Sequence, residues 1–185
     1  MRKIKKIILH HTASLRDKTS LRQIKRWHEQ RDLGTGIQYH YVIRGNGNVT
    51  QTRNPSKIGH HCWGKNEDSL GVALTGNFEN EIPSDAQLTA LDELLAKLCR
   101  KYELNAWNCY THKMIAHASH KTLCPGKHFQ LSPIMAGLSS ELAKDVRPKL
   151  TITVDKKPNW WENIWETIRE IMEIVRKKWS RKPLD

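Results

Sequence analysis

Ile4-Lys5-Lys6-Ile7-Ile8-Leu9-His10-His11 decides how the rest of the chain is read. A short apolar run bounded by charge reads as a buried strand, and it ends abruptly in two histidines. Neighbouring side chains on a strand point to opposite faces, so only one of the pair can face a site on a given side of the sheet. Working outward, Thr19 or Ser20 caps a helix with Leu21, Ile24 and Trp27 on one face. Segments 39–44 and 49–53 read as two strands around the turn Gly45-Asn46-Gly47-Asn48. No helix follows that tetrapeptide, so it is a turn rather than a phosphate loop. Segment 69–74 reads as a further strand. Ser84-Asp85-Ala86-Gln87 is a capping-box start for a helix carrying Leu88, Leu91, Leu95, Leu98 and Tyr102 at helical spacing. Segment 113–117 reads as a strand ending in a histidine, and Ser132-Pro133 opens a helix to about Lys144. Strands alternating with helices imply an α/β domain with a mixed central sheet flanked by helices.

Composition changes after residue 145. Segment 146–158 reads as a linker. Segment 159–182 reads as an amphipathic helical tail, with Trp160, Trp161, Ile164, Trp165, Ile168, Ile171, Met172, Val175 and Trp179 on one face. The expected organisation is a domain over 1–145, the linker and the tail. The apolar face of the tail suits docking or self-association, a membrane interface, or an anionic envelope component.

The 185 residues carry a formal net charge of +12, which favours anionic partners. Charged residues make up 27% and hydrophobic residues 38%, the balance of a soluble globular protein. No stretch approaches the roughly 18 apolar residues of a membrane span. The basic start meets His10-His11 too soon for a signal-peptide core, so synthesis and initial residence in the cytoplasm are expected. Cys62, Cys99, Cys109 and Cys124 form no CxxC pair. Cys99 falls on a helical face beside Leu95 and Leu98, where a small core residue fits.

Ten histidines are present, and several sit where strands end. His10, His117 and Cys124 offer two imidazoles and a thiolate, ligands suited to Zn²⁺. Three protein ligands leave a fourth position for water, the arrangement of a catalytic site. The spare histidines keep a closed structural site as an alternative.

Several blocks together resemble the zinc amidase superfamily of amidase-type phage lysozymes and animal peptidoglycan recognition proteins. They are Ile8-Leu9-His10-His11-Thr12-Ala13-Ser14, Ile24-Lys25-Arg26-Trp27-His28, Tyr39-His40-Tyr41-Val42-Ile43, Gly59-His60-His61-Cys62, Asn66-Glu67-Asp68-Ser69-Leu70-Gly71-Val72, Ala116-His117 and Cys124-Pro125-Gly126. They occur in the family's order over residues 3–143. The resemblance implies that His10, His117 and Cys124 are the zinc ligands and that Tyr39 lies beside the metal. It places Thr122 at the catalytic position two before the cysteine, and His61 and Asn66 at the substrate groove. The interval from His117 to Cys124 is one residue shorter than the family's, so His120, and behind it His112, stand as rivals for the second ligand. The family pattern selects His10 over His11, which is left to packing or hydrogen bonding.

The resemblance implies zinc-dependent hydrolysis of the amide between N-acetylmuramic acid and L-alanine in peptidoglycan, by a phage or prophage endolysin acting on the wall after release or export. Family members without the cysteine bind peptidoglycan without cutting it, and that is the alternative. A nucleic-acid or polymerase-binding regulator is a further rival, although the sequence holds no recognised nucleic-acid motif.

Overall fold

The computed structural model describes residues 2–146, together with 168–170 and 172–173. Its frame is a five-stranded sheet in the order β3-β2-β4-β1-β5. The strands are β1 (Lys6–His11), β2 (Tyr41–Ile43), β3 (Val49–Gln51), β4 (Ser69–Leu74) and β5 (Cys109–Thr111). β1 runs parallel to both β4 and β5, β2 is parallel to β4, and only β3 is antiparallel, closing a hairpin onto β2. Ile7, Ile8 and Leu9 of β1 are all fully buried, as expected of a central parallel strand covered on both faces.

Alternation along the strands sorts two apolar clusters onto opposite faces. Ile7, Leu9, Tyr41, Ile43, Leu70, Val72 and Leu74 pack with Leu91, Leu95, Leu98 and Cys99 of α2 (Asp85–Tyr102), and with Ile134 and Leu138 of a later helix, Leu131–Val146. Val42 points the other way, against Ile24 and Ile37, with Leu21, Trp27 and Tyr39 around them. Ile24 lies on α1 (Leu21–Gln30), whose capping box pairs Ser20 with Gln23. The box on α2 pairs Ser84 with Gln87. Gln87 is fully buried and uses its side-chain amide to donate to the Ile43 and Thr75 carbonyls, at 3.3 and 2.8 Å.

The segment expected as a strand over 113–117 is instead a single helical turn, α3 (His112–Ile115), followed by a 3₁₀ turn at Ala118–His120. The strand lies earlier, as β5, paired to β1 through Ile7–Cys109 and Leu9–Thr111. Thr111 caps α3 by accepting from the Met114 amide. The final helix of this part, α4, is Leu131–Val146.

These elements belong to one compact unit, Met1–Pro148. The linker expected over 146–158 and most of the tail expected over 159–182 lie outside the described residues. Residues 168–170 and 172–173 are helical, and Ile168 and Met172 are exposed.

Candidate metal centre

In parallel sheets, sites form beyond the carboxyl ends of the strands. β1 and β5 end side by side, which brings His10 and His112 to one edge. His10 shares its face with Ile8 and Val42, whereas His11 turns toward α2. The His11 ring packs on Phe78, and its Nδ1 accepts from the Phe78 amide at 3.1 Å. His11 is therefore held in packing and hydrogen bonding.

The chain returns to this edge through the turn 122–126. The Lys113 amide donates to the Cys124 carbonyl at 2.8 Å, tying the turn to α3. Gly126 takes φ +106°, and a Cβ there would meet Phe78 backbone at 2.3 Å, so only glycine fits. The result is a cluster of His10, His112 and Cys124 whose ligand atoms all lie within 4.8 Å of one another. His10 Nδ1 stands 3.7 Å from Cys124 Sγ, and the two histidine rings are 4.6 Å apart. A tetrahedral zinc bonded at roughly 2.0–2.1 Å to nitrogen and 2.3 Å to sulfur separates two such ligands by about 3.6 Å, so the donor set and its spacing fit the ion.

The second histidine of this group is His112, not His117. His117 is exposed; its Nδ1 lies 2.7 Å from the Ser119 hydroxyl and caps the 3₁₀ turn by accepting from the Ser119 amide. The ring of His120 stacks on that of Trp63, centroids 5.0 Å apart. The strand that should deliver the ligand ends six residues earlier than the sequence suggested, at Thr111, and the ligand position moves five residues, to His112. The usable signal was Cys109-Tyr110-Thr111, a strand-favouring triplet directly before His112.

Electrostatics suit a cation that needs neutral imidazoles. Burial, then the neighbouring His61 and His112, pushes the His10 pKa well below the ordinary histidine value. Burial, then His11, lowers that of His112. Burial raises the Cys124 thiol to about 12, although the His11 amide, 3.4 Å from Sγ, favours the thiolate.

The Tyr39 ring lies 5.1 Å from that of His10 and 5.0 Å from that of His28. Burial, then the Cys124 charge, raises its pKa, so the hydroxyl keeps its proton at neutral pH. Thr122 is half-buried, and its oxygen accepts from the Cys124 amide at 3.1 Å, which leaves its hydroxyl proton free to donate.

His61 and Asn66, expected at a substrate groove, are engaged inside the protein. Asn66 Oδ1 accepts from the His61 and Cys62 amides at 3.0 and 2.9 Å, closing the loop. His61 is buried, with Nδ1 3.1 Å from His10 Nε2. A Cβ on Gly71 would meet three His61 ring atoms at 2.7–2.9 Å, so the ring occupies the space glycine leaves. Gly71→Ala is therefore expected to displace His61 and destabilise the protein by about 1–3 kcal/mol, the usual cost of overpacking. Denaturant unfolding measures this, and an unchanged midpoint would show that the ring yields freely.

Known proteins resemble the chain in sequence and in fold. The family model described as N-acetylmuramoyl-L-alanine amidase matches residues 1–127. Peptidoglycan-recognition protein SD of Drosophila simulans is 32% identical over 108 residues, covering 58% of this chain and 56% of the relative. The endolysin of Escherichia phage T7 is 35% identical over 88 residues, covering 45% and 58%. The chain thus spans a little over half the length of these curated relatives. Among solved structures, the N-acetylmuramoyl-L-alanine amidase LysC from Clostridium intestinale superposes with a TM-score of 0.67 at 31% identity, covering 74% of this chain and 86% of that one.

Proposed function

Because the chain belongs to the N-acetylmuramoyl-L-alanine amidase family, we propose that it hydrolyses the amide between N-acetylmuramic acid and L-alanine in peptidoglycan, using zinc held by His10, His112 and Cys124. The observation that carries this is the three-ligand cluster itself. It has the composition of a catalytic centre and leaves a coordination position for water. Zinc in such a site supplies Lewis acidity and a bound water with a pKa near 7.

The remaining chemistry belongs to the chain's own side chains. Amide hydrolysis builds negative charge on the scissile carbonyl oxygen. The protonated Tyr39 hydroxyl beside His10 is a donor for that charge, and donors fixed in advance lower the barrier most effectively. The Thr122 hydroxyl, next to the cysteine turn, is a second, uncharged donor. The endolysin relatives support a lysin acting on the wall. The recognition-protein relatives favour a second reading, binding without cleavage, against which the Cys124 thiol weighs.

The test is incubation of the protein with purified peptidoglycan, with zinc and with a chelator, followed by mass spectrometry. Stem peptides with a free L-alanine amino terminus are expected with zinc only. Cys124→Ser is expected to lower their release more than about 100-fold, beyond the loss from an outer-shell partner. Binding to intact peptidoglycan without release would establish the second reading.

A further inference from the structure

The Ser69 hydroxyl donates to the Lys65 carbonyl at 2.6 Å, which commits its only proton, since a carbonyl can only accept. The Ser69 oxygen also lies 3.4 Å from His61 Nε2, so in that contact the histidine is the donor. A neutral imidazole carries one N–H, so a protonated His61 Nε2 leaves Nδ1 as a lone pair. That lone pair faces His10 Nε2 at 3.1 Å, which makes His10 Nε2–H the donor there. His10 Nδ1 is then unprotonated, 3.7 Å from Cys124 Sγ, where a cation needs it. With the opposite polarity, the Lys65 carbonyl would lose its Ser69 donor and a proton would sit on His10 Nδ1, blocking coordination.

We propose that His61 is a positioning residue, the middle of a relay from the Lys65 carbonyl through Ser69 that fixes His10 in the tautomer able to bind a metal. Ligating histidines commonly give their other N–H to a carboxylate or backbone carbonyl. Here the acceptor is a second buried histidine. The surrounding structure holds it in place. Asn66 fixes its backbone, Gly71 makes room for its ring, and its plane stands at 87° to that of His10. Ser69 and His10 are almost wholly buried, which limits competition from water. The relay rests on the zinc assignment above, but its hydrogen bonds exist without the ion.

Long-range ¹H–¹⁵N correlation spectra of the metal-free full chain, with labelled histidine, are expected to show both His10 and His61 protonated at Nε2. Zinc affinity measured by chelator competition is expected to fall 10–100-fold in His61→Phe, which keeps a ring but offers no acceptor. It should recover to within about 3-fold of the parent in His61→Asn, whose Oδ1 restores an acceptor where Nδ1 was. Protonation of His10 at Nδ1, parental zinc affinity in the Phe variant, or equal losses in both variants would each overturn the relay. If the Phe variant does not fold, the tautomer of the parent protein decides. If the parent binds no zinc, the proposed function fails while the tautomers still test the relay.

Discussion

Replacing His112 by alanine is expected to cost more than about 100-fold in zinc affinity and to reduce stem-peptide release to background, whereas His117→Ala should leave both within about 2-fold. His112 is half-buried, at the end of the strand beside β1, and is one of three donors gathered within 4.8 Å. Removing one of three protein ligands leaves a site that no longer fixes the ion, and even outer-shell losses reach 10–100-fold. His117 is exposed, and its ring is spent on Ser119. Substitutions at such positions usually stay within about 0.5 kcal/mol, roughly a factor of 2. The two histidines are five residues apart, so the pair discriminates between two registers of one loop. Chelator competition and mass-spectrometric detection of released peptides give the two readouts. Loss on changing His117 with retention on changing His112 would reverse the assignment.

Parts of this site were legible because their signals are local and strong. Segment 69–74, read as a strand from its apolar run, is β4, Ser69–Leu74, and Ser84 with Gln87 marks the true start of α2. Strand alternation implies that only one of His10 and His11 can face a site on a given side, and the two do have opposite environments. The register around β5 was not legible. Three residues are too few to show a period, and Cys109–Thr111 is a strand because β1 supplies a parallel partner. Lys113-Met114-Ile115, which looks like a strand core, is instead the turn that Thr111 caps. The position of His61 was hidden for a similar reason. Its burial depends on a missing side chain at Gly71, ten residues later, and the contact arises only when the loop folds over β4.

The same concentration of buried histidines is expected to make the metal-free protein acid-sensitive well above the carboxylate range. His28 and His40 are almost wholly buried, and burial first, then neighbouring arginines, holds each near pKa 4; in His40 a hydrogen bond to the Lys57 carbonyl opposes the shift. Their Nδ1 atoms accept from the Gln38 and Gly71 amides at 2.9 and 3.0 Å, contacts that protonation would destroy. The folded pKa lies below the unfolded value of about 6.5, so below that pH the unfolded chain binds protons that the native state refuses. Stability therefore rises with pH through this window and falls as pH drops from about 6.5 toward 4. At pH 5 each such histidine costs up to about 2 kcal/mol relative to pH 7.5, and His10 and His61, also depressed, act in the same direction. Against a typical margin of about 5–15 kcal/mol, a combined loss of several kcal/mol is a large fraction. Paired carboxylates such as Glu29 and Glu141, whose pKa values lie below the ordinary 4.5, lose most of their contribution below pH 5, so the histidines dominate the window from pH 7.5 to 5. Urea unfolding of the chelator-treated protein at pH 7.5 and 5.0 measures the difference. A midpoint that does not fall at pH 5.0 would mean that these rings are reached by water or already charged in the native state.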